Sequence, residues 1–275
     1  MSTQSSQLFS LANKTAIVTG GTGVLGQAMV KGLVAAGASV GILGRRIEAA
    51  DALTAEIRSS GGRAIALKAD VLDQEQLIKA KETFVKEFGT IDILVNAAGG
   101  NMPGAVIPPD KNFFDLNLKD FQKVVDLNLM GTVLPSQVFT EDMVKRKKGV
   151  IINIASMASF RPITRVVGYS AAKAAVANFT EWLAIEMAKK FGEGIRVNAI
   201  SPGFFITEQN RALLTNSDGT FTARGQAAIN HTPFARFGRP DELVGTLVWL
   251  CSDASAFVTG VNIPVDGGFN VFCGV

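Results

Sequence analysis

Histidine is almost missing from this chain of 275 residues, and cysteine nearly so. The single histidine, His231, has no second ligand nearby in sequence, which argues against a metal site and for a structural role. The two cysteines, Cys251 and Cys273, make neither a CxxC pair nor a disulfide framework, and they fit a reducing, cytoplasmic compartment. Excess charge of one sign is also scarce. A net charge of +3 is too small to mark a nucleic-acid or membrane surface. The one dense basic run, Lys145-Arg146-Lys147-Lys148, reads as the last turn of a helix, where cations complement the negative dipole end. No apolar run reaches the roughly 18 residues that a membrane span needs. The opening MSTQSSQLFS lacks the basic and apolar regions of a secretion signal, so residues 1–13 read as a polar tail.

What is present is a globular composition, 47% hydrophobic, in a length that suits one large α/β domain over residues 14–275. A chain of this size buries roughly 75% of its unfolded surface and needs no staple. Short β-branched runs alternate with longer amphipathic ones. The strands expected are 15–19, 39–43, 64–70, 92–98, 150–156, 195–201 and 260–266. Helical patterns fall near 25–36, 47–59, 74–88, 118–147, 169–191 and 241–250, and a long loop follows the sixth strand. Seven apolar strands separated by helices imply βαβ crossovers, hence a doubly wound, Rossmann-type parallel sheet covered on both faces. Ligands of such sheets bind beyond the carboxyl ends of the strands.

Between the first strand and first helix stand four glycines in seven residues, Gly20, Gly21, Gly23 and Gly26. Gly21-x-Gly23-x-x-Gly26, set between strand and helix, fits a dinucleotide fingerprint. One glycine makes the tight turn, one lets a pyrophosphate approach the backbone, and one lets the helix pack on the strand. The helix N-terminus, from Leu25 onward, supplies unpaired N–H groups and a positive dipole end. At the end of the second strand, where an acid would bind a ribose 2′-hydroxyl, Arg45 and Arg46 stand instead. Their guanidiniums suit a 2′-phosphate, so NADP(H) is favoured over NAD. Asp70 and Val71 end the third strand beside the adenine, and Asn96, Ala97 and Gly99 end the fourth beside a ribose.

Tyr169 and Lys173 share a helix face, four residues apart. An ammonium near a phenol favours the phenolate and lowers its pKa from about 10, giving a general acid/base for a carbonyl or alcohol. Ser156 ends a strand thirteen residues earlier, and Asn128 is a polar residue in an apolar helical stretch. Together with NAAG at 96–99, NLMG at 128–131, RVNAISPG at 196–203 and VDGG at 265–268, these motifs resemble the short-chain dehydrogenases/reductases in order and spacing over nearly the whole chain. That resemblance implies Tyr169 as acid/base, Ser156 steadying the substrate oxygen, and Lys173 binding the nicotinamide ribose while lowering the Tyr169 pKa. It implies a water held by Asn128 in a proton relay, and direct hydride transfer without a metal. Pro202, Gly203 and Thr207 would line the nicotinamide carboxamide. One position departs: Val24 stands where short-form members carry glycine, so that pyrophosphate contact is open.

GGN at 99–101, FFDL at 113–116, FFITEQNRALL at 204–214, HTPFARFG at 231–238 and PVDGGF at 264–269 resemble the D-mannonate oxidoreductase (fructuronate reductase) branch. This branch implies a hexuronic keto acid and its aldonate as small-molecule partners. Met102, where histidine is expected, and a shortened loop at 102–112 depart from it. Asn101, Gln209, Asn210, Arg211 and His231 lie on the two loops available to such a substrate, the second spanning about 203–232. Arg161 and Arg165 lie between Ser156 and Tyr169, and Arg165 and Arg211 are the first candidates for the carboxylate. Phe204 and Phe205 suit an apolar wall. The same chemistry on gluconate at C5 or on a 3-oxoacyl thioester is the alternative, although no basic patch for a carrier protein is evident. A silent dinucleotide sensor is the reading from another class. The family also suggests a homotetramer packed through the helices near 118–147 and 169–191. The apolar residues Phe179, Leu183 and Met187 fit that packing and equally fit burial against the sheet.

Overall fold

Seven strands lie side by side in one sheet. They are β1 (Thr15–Thr19), β2 (Ser39–Gly44), β3 (Ala64–Lys68), β4 (Ile93–Asn96), β5 (Gly149–Ile154), β6 (Ile195–Pro202) and β7 (Asn262–Val265). The structure is a computed structural model and describes residues 7–208 and 210–274. The strand order is β3-β2-β1-β4-β5-β6-β7 and every pairing is parallel. The continuous apolar runs have their cause here: β1 is buried at all five residues and β2 at all six, because helices cover both faces.

The helices are α1 (Val24–Ala35), α2 (Ile47–Ser59), α3 (Gln74–Phe88), α4 (Leu118–Val125), α5 (Gly131–Phe139), α6 (Glu141–Arg146), α7 (Val167–Phe191), α8 (Arg211–Leu214), α9 (Ala223–Asn230) and α10 (Val244–Cys251). One face of the sheet packs Met29, Leu33 and Leu247 into its core; the other packs Phe84, Phe139 and Leu183. Leu183 and Met187 are therefore core residues, and Phe179 packs against the same cluster. The outer face of α7 instead exposes Trp182 and Ile185.

Three details differ from the pattern expected. The helical stretch 118–147 is three helices, interrupted by a π turn at Asp126–Met130 and again at Thr140. α7 begins at Val167, which puts Tyr169 inside its first turn. The long loop after β6 contains α8 and α9. The basic run does close a helix: Lys145 and Arg146 fill the last turn of α6, and Lys147 caps it in the left-handed region. No helix among the described residues is long and apolar enough to cross a membrane.

The strand order reverses between β1 and β4, so the loops leaving these two strands diverge and open a crevice.

Candidate active site

The floor of that crevice is the glycine loop. Thr19 closes β1, and its hydroxyl accepts the Ala97 and Ala98 N–H groups at 3.1 and 3.2 Å, tying the loop to the end of β4. Gly20 has φ +64°, and a Cβ there would stand 2.8 Å from the Ala97 carbonyl. At Gly26 a Cβ would meet the Gly20 carbonyl at 2.2 Å, so this glycine lets α1 sit on the loop. Gly23 is different: a Cβ there finds only the Gly20 carbonyl, at 3.4 Å. The fold does not require a glycine at that position, which faces the open side. Gly23 is also the N-cap of α1 and supplies no side-chain cap, leaving the first-turn N–H groups for an anion. Val24 is the first helical residue, so it offers its N–H in helical geometry despite its side chain. A pyrophosphate fits this cradle.

Around it lie the other residues expected for a dinucleotide. Arg45 and Arg46 follow β2 and are exposed, and the Arg45 Nη1 stands 3.9 Å from the Asp70 carboxylate. Asp70 also accepts the Leu72 N–H at 3.0 Å, and Val71 is buried near Gly131. Asn96 points elsewhere. Its side chain donates to Ser136 and Asn153, both at 2.9 Å, inside the sheet, so only its backbone is available to a ribose. Gly203 is held by its N–H to the Val265 carbonyl, and a Cβ there would strike Asp266.

The candidate catalytic groups converge from three elements. β5 delivers Ser156, whose Oγ accepts the Ala158 N–H at 3.1 Å. α7 delivers Tyr169, which hydrogen-bonds the Ser156 hydroxyl, and Lys173, whose Nζ lies 5.7 Å from the tyrosine ring centroid. The π turn delivers Asn128, fully buried, whose amide donates to the Gly100 carbonyl at 2.7 Å and accepts the Gly100 N–H at 3.2 Å. Gly99 sits between the last two: a Cβ there would lie 2.6 Å from the Asn128 Oδ1 and 3.3 Å from the Lys173 Nζ. That close approach accounts for the glycine.

The electrostatics correct one expectation. Burial pushes the Tyr169 phenol above its usual 10.0, and the Ser156 hydrogen bond only opposes this. The lowered phenol expected from the Tyr–Lys pair is not found. Burial instead lowers Lys173 from 10.5 to about 8, while its Nζ donates to the Ile154 carbonyl at 2.7 Å.

The proposed substrate residues divide. Asn210 turns inward, accepting the Thr207 N–H at 2.7 Å and donating to the Phe205 carbonyl at 2.8 Å, so it clips the loop rather than facing a ligand. Asn101 folds its Oδ1 back onto the Met102 N–H. Arg211 opens α8 and is exposed. Gln209 lies outside the described residues. His231 packs its ring against Phe269 and Phe272, as a structural histidine does. Phe204 meets Phe269 edge-on and Phe205 is buried against Gly238. A cleft of about 530 Å³, lined by Ile107, Lys111, Arg161 and Arg165 among others, opens beside the hydroxyl pair rather than over it.

The short chain dehydrogenase profile matches residues 14–218. The chain belongs to that family. It is an oxidoreductase acting on CH–OH groups with a nicotinamide dinucleotide. An uncharacterised oxidoreductase of Bacillus subtilis is 47% identical over 274 residues, covering 96% of this chain and 98% of the relative. A Haemophilus influenza protein with bound NAD, provisionally assigned as a D-mannonate oxidoreductase, superposes with a TM-score of 0.90 at 43% identity, covering 97% and 98% of the two chains. A gluconate 5-dehydrogenase of Burkholderia cenocepacia, in complex with NADP and tartrate, gives 0.85 at 33% identity, covering 96% and 98%.

Proposed function

We propose that this short-chain dehydrogenase interconverts a keto sugar acid and its aldonate, with D-fructuronate and D-mannonate as the pair. The Tyr169–Ser156 hydroxyl pair carries the reading, because it lies beside a buried Lys173 at the crevice that the glycine loop opens. A bound nicotinamide dinucleotide supplies or takes the hydride. Tyr169 gives its proton to the oxygen that forms when a carbonyl is reduced, and takes one from the alcohol in reverse. Ser156 holds that oxygen within reach. Lys173 lies mostly protonated at neutral pH, given a value of about 8, and its positive charge favours the phenolate left after donation. Asn128 fixes the loop at Gly100 and, in this reading, holds the water through which Lys173 exchanges protons with solvent. Pro202, Gly203 and Thr207 face the nicotinamide end, and the segment 203–232 closes over the substrate.

The similarity to the Haemophilus influenza protein supports mannonate, and that to the Burkholderia cenocepacia enzyme supports gluconate at C5 as a second reading. A panel of D-fructuronate, 5-ketogluconate and a 3-oxoacyl thioester, followed by loss of reduced-nicotinamide absorbance, separates these. D-fructuronate giving the highest kcat/KM supports the proposal; preference for another member of the panel overturns it. Binding of cofactor with no turnover of any keto compound would favour a sensor.

NADP(H) is the cofactor in this reading, because two exposed guanidiniums follow β2. Arg45→Ala together with Arg46→Ala is expected to cost NADPH about tenfold or more in affinity relative to NADH. An unchanged ratio in a dinucleotide titration contradicts the assignment. A cytoplasmic homotetramer completes the proposal.

A further inference from the structure

We propose that Arg224 joins Arg165 in a two-guanidinium clamp for the substrate's carboxylate, delivered when α9 latches onto the loop that precedes Tyr169. The proposal rests on the sugar-acid reading above and assigns the group that recognises the acid.

Arg224 is the second residue of α9. Its Nη1 reaches the Thr164 hydroxyl at 3.3 Å and its Nη2 donates to the Thr164 carbonyl at 3.1 Å. These contacts cross sixty residues of sequence and join the segment after β6 to the Ser156–Tyr169 loop. The next residue is Arg165, held at φ +73°, where a side chain is strained. Its carbonyl accepts the Ile107 N–H at 2.9 Å, so the strained residue is pinned from the β4–α4 loop as well. Strain retained at one residue beside a reactive tyrosine points to a position that matters.

The charges are arranged at a cost. Both arginines are half-buried, and among the described residues neither has a carboxylate partner. Arg146, Arg236 and Arg239, by contrast, each have one. Arg224 also sits in the first turn of its helix, the end where the dipole repels a cation, and that turn contains no acid. Burial and then the charge of Arg165 both act against its protonated form. An anion bound between the two would relieve all three costs. The Thr164 contacts use two of the five guanidinium N–H donors, leaving others for a carboxylate.

Oxidation of a hexonate and of its neutral amide, measured as kcat/KM, tests the clamp in the full-length protein. The wild type is expected to favour the acid. Arg224→Gln and Arg165→Gln should each cut the acid-over-amide preference by about tenfold or more. Arg224→Lys should restore part of it. Thr164→Val removes one latch contact but keeps both cations, and should lower turnover of acid and amide together. Arg224→Gln lowering acid and amide equally would make Arg224 a latch alone and overturn the clamp. A wild type that prefers the acid, with both glutamine variants preferring it as strongly, would overturn the clamp and leave the sugar-acid reading standing. A wild type indifferent to the charge would overturn both. Cofactor affinity and the thermal unfolding midpoint of each variant identify any that fail to fold.

Discussion

Tyr169 is the only tyrosine in the chain, so its ionisation can be read directly from tyrosinate absorbance. Burial raises its pKa above 10.0, and the free protein is expected to titrate above that value. Ser156→Ala removes the one interaction that opposes burial and should move the midpoint higher still. The linkage has a definite sign. Above pH 10 the unfolded chain gives up the phenol's proton while the folded chain keeps it, so this group's contribution to stability falls as pH rises through that window. A midpoint below 10 would contradict the account. That Tyr169, Ser156 and Lys173 come together was legible from the motifs as a set, but the direction of the phenol's shift was not. Spacing reports which side chains meet, whereas the shift depends on how much water is removed around them. Asn96 and Asn210 show the same limit. An amide next to a motif can face the ligand or the protein, and only packing decides which.

At the scale of elements, the glycine loop separates what the fold needs from what a ligand needs. Gly26→Ala places a methyl group 2.2 Å from the Gly20 carbonyl and should destabilise the protein by about 1–3 kcal/mol in denaturant unfolding. Gly23→Ala meets nothing closer than 3.4 Å and should stay within about 1 kcal/mol of wild type while losing dinucleotide affinity. Equal stability losses in the two variants would argue against the assigned roles. Strands were readable because both faces of the sheet are covered, which turns each into an unbroken apolar run. The π turn at Asp126–Met130 was not, since a 3.6-residue period continues on both sides of it. It adds a residue to one turn and brings Asn128 to Gly100, a use of such turns that periodicity cannot show. α8 and α9 were missed because four and eight residues are too few for an amphipathic pattern to emerge.

For the molecule as a whole, strand order decides where chemistry happens. The β1/β4 reversal sets the glycine loop, the Gly99–Gly100 turn and the Tyr169 helix around one crevice, and alternating strands and helices made that topology expected. The proposed homotetramer makes a demand on the outer surface. Trp182 and Ile185 on α7 are 57% and 59% exposed, and Leu118 at the start of α4 is 72% exposed. Apolar groups of this size on neighbouring helices suit a two-fold contact between copies. Trp182→Glu should convert a tetramer seen by light scattering into smaller species, and a wild type that runs as a monomer would contradict this packing. The most direct test of the whole account is the turnover of Tyr169→Phe, which keeps the ring and removes the hydroxyl. With cofactor affinity retained, kcat for the preferred keto acid should fall by at least about a hundredfold. Turnover within a few-fold of wild type would show that the proton passes elsewhere.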